Sequence, residues 1–580
     1  MRSRQCIFFT TVIETYNIMI IDARTLPENT IIETEVCIIG AGPAGLTLAH
    51  ELSGQNFRVC LLESGGTEPN QEIQSFCEGN ITQELSQDLS EARCRQLGGA
   101  ANLWNDRTGQ NHVCARLLPL DAIDFEKRDW LPYSGWPFSK SHLDPFYERA
   151  QHLYRLRPFA YDAEDWESNQ TPRLPLASDR IKSTVYQFGA RNVFTHEIRH
   201  EIKQSKNLTT YLNANVLEIE TNDAKTINSV RVGCLHGHQF RVGAKIFILA
   251  MGGIENARLL LLSNKTQNVG LGNHNDLVGR FFMEHPYLRL GMFTPTNRQL
   301  FKSAALYDIH WKNNLLIMGK LTLSEELKRR QQLLNSCLLL FPKPKAYESK
   351  AVNSLKSLLA SSRKAKISKD TLGHLSNVIS GMNDAISFVY GNVFKLPEFS
   401  YNPAQGGWSR LKGNYKKFSS FEVRISAEQA PNPNVRVTLS QERDRFGLRK
   451  INPISWHWSD IDIHSIVQTE KIFQEEIVRA NLGQYRSLTE LDKGTRPECV
   501  GGNHHMGTTR MHPNPKQGVV DENCRIHGTS NLFVAGSSVF PTGGCANPTL
   551  TIIALAIRLA EQVKKMMASN AVTTLQRQLN

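Results

Sequence analysis

Two stretches of the chain hold residue types and spacings able to do chemistry. Near the amino end, Gly40-x-Gly42-x-x-Gly45 follows the apolar run VCIIG and opens a helical pattern that carries Pro43 and Ala44. Gly40 permits a tight turn, Gly42 lets a pyrophosphate approach the backbone, and Gly45 lets the helix pack on the strand. An anion held there sits on the helix N-terminus. Glu63 ends the next strand, RVCLLE, where its carboxylate can bond a ribose hydroxyl and disfavour a 2′-phosphate. Near the other end, GGNHHMGTTRM presents His504 and His505, and Asn547 stands before Pro548. An imidazole titrating near neutrality suits proton transfer, although an isolated histidine in such a loop is more often only solvated. Asn547 equally suits the cap of a helix whose first residue is proline.

The elements that would position these residues are of two kinds. The opening strand, turn, helix and second strand predict a βαβ unit, with Ser64 just past its end. Residues 67–130 are loop-rich, and a helix starts near Ser139 with Leu143, Phe146, Tyr147 and Leu153 on one face. TTYLNANVLEIET, which includes Val216, is predicted as one strand pairing with SVRVGCL. FRVGAKIFILA is another predicted strand, running through Ala250 and Gly252 into the helix ENARLLLLS. After about His285 the pattern turns to strands such as FEVRIS, VRVTL and ISWHW, interrupted by a basic helical insertion near 340–400. The α/β character returns with strand NLFVAG, which ends at Gly536 and Ser537. A Gly/Pro loop then leads to the helix from Thr549 to about Ala568, past which nothing suggests a packed element.

At 580 residues the chain exceeds what one core usually supports, so two connected domains are expected. The fold class is α/β: a discontinuous Rossmann-like nucleotide domain over 31–285 and 495–568, and a mainly antiparallel-sheet substrate domain over 286–494. The formal charge of +12 is concentrated in part in the insertion, without the interleaved aromatics that stack bases, and nucleic acid is not expected as a partner. Eleven cysteines without a Cys-x-x-Cys pair predict neither a disulfide framework nor a metal site, and suit a reducing compartment. Residues 1–18 lack a cleavage pattern and resemble an overlong start, no run is long enough to span a bilayer, and a soluble cytoplasmic protein is expected.

The glycine turn alone does not choose between FAD and NAD. Three further stretches bear on the choice: Gly98-Gly99-Ala100-Ala101-Asn102-Leu103-Trp104, LAMGGIENARLL, and the C-terminal block with HxxGTTRM and ANPTLT. With VGRFFMEHP, these stand in the order of the glucose-methanol-choline oxidoreductases, and the chain resembles that family outside residues 1–30 and the insertion. The resemblance implies FAD, with His504 as the active-site histidine and Asn547 as its partner. It also implies oxidation of the CH–OH group of an alcohol or sugar. Removing a hydroxyl proton as hydride leaves the carbon suits His504, and Asn547 would hold the developing alkoxide. His505 stands one position out of the motif and is the weaker alternative.

Leu103 occupies the place where some sugar oxidases of the family carry a flavin-linking histidine, so the FAD is expected to be non-covalent. Val534-Ala535-Gly536-Ser537 departs from the V-V-D-A-S pattern of many members and leans toward the sugar-oxidising branches. The residues leave open whether the electron acceptor is oxygen, a quinone or a redox protein. The competing readings are lyase chemistry and light-driven decarboxylation, both known on this fold.

Overall fold

The computed structural model describes residues 20–104, 106–108, 112–363, 371–396, 406–491, 494–497 and 499–579. The expectation about residues 1–18 lies outside them. The nucleotide end is a six-stranded parallel sheet ordered Ile20–Asp22, Leu208–Leu212, Val59–Leu62, Val36–Ile39, Ile246–Leu249 and Leu532–Val534. Strands buried on both faces read as unbroken apolar runs, and VCII, VCLL and IFIL do so with every residue buried. The helix Pro43–Leu52 starts with proline at its first position and packs against the carboxyl-terminal helix Thr549–Leu579. The edge strand Leu532–Val534 and that helix both come from the far end of the sequence, so this layer is discontinuous, as the pattern predicts.

The second layer is a ten-stranded sheet among the described residues, its pairings antiparallel. It runs from Gly483–Ser487 through Pro286–Pro295, Ser420–Ala427, Ser336–Lys343, Leu315–Leu323 and Ile181–Ala190 to His112–Leu117 and Asp106–Thr108. Both layers contribute to one continuous apolar core, in which Ile38, Leu61 and Ile248 join Ile317, Val423 and Phe293. Burying side chains of this size is worth roughly 1.5–3 kcal/mol each before entropy is set against it.

Several predicted elements differ in detail. TTYLNANVLEIET is two strands: Leu208–Leu212 enters the parallel sheet, and Asn215–Thr221 pairs antiparallel with Ile227–Gly233 in a separate four-stranded sheet. Asn213, at a φ of +59°, turns the chain between them, a conformation asparagine tolerates better than most residues. FRVGAKIFILA likewise divides into Gln239–Gly243 and Ile246–Leu249, in different sheets. In VRVTL only the last residue is in a strand, Leu439–Arg443. The final helix continues to Leu579, beyond the limit near Ala568.

Candidate active site

The glycine turn folds as its sequence dictates. Gly40 takes a φ of +102°, and a Cβ there would lie 2.8 Å from the Ala250 carbonyl oxygen. Gly45 packs on the Gly40 carbonyl, so it closes helix on turn from behind the cavity. A Cβ on Gly42, by contrast, would meet nothing nearer than the Gly99 Cα at 3.9 Å. The space over the helix N-terminus is therefore open to a ligand. Glu63 is buried; its Oε2 accepts from the Ala41 N–H at 3.0 Å and its Oε1 from the Gly65 N–H at 2.8 Å. The carboxylate thus ties the turn together; Oε1 also accepts from the Ser64 hydroxyl at 3.2 Å, while Oε2 keeps a further lone pair.

The turn is one wall of a cavity of about 530 Å³, within the usual range for ligand pockets. Its lining takes in Gly40, Gly42, Pro43, Ala44, Glu63 and Ser64 from the βαβ unit. Gly99, Leu103 and Trp104 line it from the second glycine stretch, and Val216, Ala250 and Gly252 from the middle of the chain. His504, Gly536, Ser537, Asn547, Pro548 and Thr549 complete it. Three predicted residues stand back from this surface. Gly45 packs behind the turn, Gly98 takes a φ of +94° at the start of its loop, and Asn102 braces that loop by donating to the Leu97 and Gly99 carbonyls.

Pairing between remote segments brings the histidines into place. Met283 and Met506 exchange backbone hydrogen bonds at 3.0 Å, Gly502 N–H donates to the His285 carbonyl, and Tyr287 pairs with Val500. The imidazoles of His285 and His504 then meet, Nδ1 to Nδ1, at 2.9 Å. The other ring nitrogen of His285, Nε2, faces the Gly543 carbonyl oxygen at 3.3 Å. His504 Nε2 lies 3.2 Å from Asn547 Nδ2. Asn547 Oδ1 is buried without a hydrogen-bond partner among the described residues, so it does not cap the helix behind it. A buried, unpaired acceptor facing a cavity is what a bound ligand would satisfy.

Burial governs the titration of this cluster. It holds His504 well below the ordinary imidazole value, helped by neighbouring His285, His505 and Arg116, and lowers His285 to about 4. His505 also lines the cavity; burial lowers it to about 3, and its ring packs against Phe282 with Nε2 3.7 Å from the Glu284 carboxylate. Glu284 is fully buried; desolvation lifts it to about 7, although the backbone N–H groups of His285 and His504, among others, donate to it. Sequence reading missed Glu284, His285, Arg116 and Tyr287, of which Arg116 and Tyr287 line the cavity. A signal was present: an acid and a histidine sit side by side in the apolar run FFMEHPY, where buried ionisable groups need a reason.

Comparison with known proteins agrees with this geometry. The FAD dependent oxidoreductase family profile matches residues 35–350, and the GMC oxidoreductase C-terminal profile matches 431–556. The chain belongs to the GMC oxidoreductase family. This GMC protein is 36% identical to 6'''-hydroxyparomomycin C oxidase of Streptomyces lividus, over 92% of each chain. It is 26% identical to 2-methyl-1,2-propanediol dehydrogenase of Mycolicibacterium austroafricanum, over 92% of this chain and 95% of the relative. The match to the fructose dehydrogenase large subunit of Gluconobacter japonicus, at 25% identity, covers 60% of this chain and 53% of that one. A structure of Aspergillus oryzae formate oxidase shares the fold, with a TM-score of 0.51 at 15% identity, over 94% of this chain and 100% of that one. The GMC chain is thus an FAD-dependent oxidoreductase, and its open glycine cradle, its cavity and the orphaned Asn547 oxygen fit that cofactor.

Proposed function

We propose that this enzyme oxidises the CH–OH group of an alcohol or sugar, with His504 as general base and Asn547 holding the substrate oxygen. When bound, FAD supplies the hydride acceptor. The residues that would hold it are the Gly40–Ala44 turn for the pyrophosphate, Glu63 for a ribose hydroxyl, and Gly99, Leu103 and Trp104 beside the ring system. Leu103 offers no nucleophile, which supports non-covalent binding.

The observation that carries the reading is the chain of hydrogen bonds ending at His504 Nε2. A carbonyl oxygen only accepts, so the His285 nitrogen facing Gly543 must carry its proton at Nε2. A neutral His285 then presents a lone pair at Nδ1, and His504 donates its own Nδ1–H to it. That leaves the His504 lone pair on Nε2, at the cavity wall beside the Asn547 amide, where a hydroxyl proton can be taken. The depressed titration of both rings supports two neutral imidazoles at physiological pH. Asn547 Nδ2 would turn from the imidazole to the substrate oxygen as negative charge grows on it. Relatives named for a propanediol, for fructose and for 6'''-hydroxyparomomycin C support a hydroxyl-bearing substrate.

Within this reading, residues 31–285 and 495–568 hold the cofactor and 286–494 face the substrate. Strands Asp106–Thr108, His112–Leu117 and Ile181–Ala190 are lent to the substrate side's sheet. The acceptor that reoxidises the flavin is oxygen, a quinone or a redox protein. The test is anaerobic mixing of the yellow holoenzyme with a panel of sugars, polyols and alcohols, scored by flavin absorbance. One or more should bleach it, and His504→Ala should slow bleaching on the order of a hundredfold or more. Wild-type speed in that variant rejects the assignment, and a flavin that no hydroxyl compound bleaches rejects the reaction.

A further inference from the structure

Among the described residues, the segment between strands Ser336–Lys343 and Ser420–Ala427 carries the helices Lys350–Arg363, Thr371–Ser380 and Met382–Val393 before a shorter one, Asn414–Lys417. Thr371–Ser380 and Met382–Val393 are amphipathic the wrong way round for helices packed on a soluble protein. Thr371–Ser380 buries no residue, and Met382–Val393 buries only Ala385 and Gly391. The first is held inward by polar groups, His374 Nδ1 lying 3.2 Å from the buried Ser354 hydroxyl and Asn377 Nδ2 donating to it at 3.1 Å, and the second by Ala385, Gly391 and Phe388, whose ring meets Tyr347 edge-on at 5.2 Å. The apolar stripe faces outward. Leu372, Leu375 and Ile379 follow one another at i, i+3, i+7, with Leu372 83% and Ile379 65% exposed. On the next helix Met382, Ile386, Val389 and Val393 stand at i, i+4, i+7, i+11, with Val393 67% exposed. Tyr390 and Phe394 extend that stripe, their rings 4.4 Å apart.

We infer that this outward stripe is a docking face for an anionic lipid bilayer, on which the two helices lie with their apolar sides in the headgroup boundary. Charge selects this occupant. Residues 345–396 hold eight Lys and Arg against three Asp and Glu. A second copy of the chain would bring the same basic segment against itself in a two-fold contact, whereas anionic headgroups complement it. Tyrosine and phenylalanine at the edge of an apolar stripe suit the lipid–water boundary. The helices lie on the surface rather than cross it: no helix among the described residues is long and apolar enough to span a membrane. Apolar burial and attraction to anionic headgroups act together in such a face.

This inference is independent of the chemistry proposed for the cavity. Lys343, where the segment leaves the sheet, pairs with Ser420, while Tyr287 of the cavity pairs with Ser426. At strand rise that separation is about 20 Å, so variants in the stripe leave the reacting groups untouched.

The test uses full-length holoenzyme sedimented with vesicles of phosphatidylcholine mixed with phosphatidylglycerol, and with phosphatidylcholine alone, followed by flavin absorbance. Wild type should pellet with the mixed vesicles, less so at high salt, and poorly with the neutral ones. The double variant Ile386→Glu/Val393→Glu should bind the mixed vesicles roughly tenfold or more weakly, since two apolar side chains are withdrawn from the boundary. Its flavin spectrum and anaerobic bleaching should be unchanged. Wild type that stays in the supernatant, or a variant that pellets equally well, overturns the proposal. So does a wild-type dimer in gel filtration that the double variant splits while neither form binds vesicles, because the face then belongs to a second copy.

Discussion

Replacing His285 with Leu removes the acceptor for His504 Nδ1–H while filling a similar volume in a fully buried position. On the proposed mechanism His504 becomes an imidazolium as it takes the substrate proton, and the hydrogen bond it donates at 2.9 Å becomes a charge-assisted one. Such bonds contribute roughly 1.5–3 kcal/mol, and at about 1.36 kcal/mol per decade the loss slows the proton-removing step roughly tenfold to 150-fold. The Leu variant also frees His504 to carry its proton on Nε2, which adds to the loss. His285→Asn is the control, since its amide oxygen can still accept from His504, and it should hold the rate within roughly fivefold of wild type. The assay is stopped-flow flavin reduction under anaerobic conditions, normalised to bound flavin, with thermal melts run alongside. Both variants should melt earlier, because both disturb a buried site, but only Leu should be slow. Reduction at the wild-type rate by the Leu variant, or equal slowing by Asn and Leu, would refute the relay from Gly543 through His285 to His504.

Three further outcomes follow from the same geometry. Asn547→Ala removes the amide beside the reacting oxygen and should slow flavin reduction on the order of a hundredfold, with flavin still bound; an unchanged single-turnover rate would remove Asn547 from the mechanism. Gly99→Ala places a Cβ 2.7 Å from the Gly42 Cα at a φ of +52°, so the protein should purify with little yellow colour yet keep its far-ultraviolet circular dichroism; full flavin content would contradict the cradle. Stability should respond to pH through opposed groups in this cluster, a buried carboxyl against buried imidazoles. His285, lowered from 6.5 to about 4, stays neutral in the fold, so its contribution is present above 6.5 and is lost as pH falls toward 4. Glu284, raised from 4.5 to about 7, contributes below 4.5 and loses that contribution as pH rises through 7. The contributions of His504 and His505, also held below the ordinary imidazole value, are lost in the same direction as that of His285, so Glu284 offsets only part of the fall, and Glu284→Gln should make the melting temperature drop more steeply than wild type from pH 6.5 downward. A variant whose melting profile stays parallel to wild type over that interval would count against the pair.

How much of this was legible in the sequence depended on the range of the contacts involved. The strand, glycine turn, helix and second strand ending at Glu63 formed where the sequence put them because they are contiguous, and Gly40 and Gly45 each have a local steric reason. His504 and Asn547 were singled out through motif resemblance, and their closeness, 3.2 Å between side chains, is set by packing that no spacing encodes. His285 stayed hidden because its role arises only when residues 283–287 pair with 500–506, more than two hundred positions away. The strand TTYLNANVLEIET misled for a different reason. No glycine or proline marks a break in it, yet one asparagine with positive φ sends its halves to different sheets.

The edge position of Leu532–Val534 in the parallel sheet has a consequence for biosynthesis. Until that strand emerges from the ribosome, Ile246–Leu249 presents an unpaired row of backbone groups along an apolar edge, an open invitation to misassembly with another nascent chain. Nearly three hundred residues, most of them on the antiparallel side, are translated between Leu249 and Leu532, so the nucleotide layer must wait, incomplete, for its closing strand and covering helix. Chaperone demand during translation, and recovery of intact enzyme at low rather than high expression rates, should follow from that single topological fact.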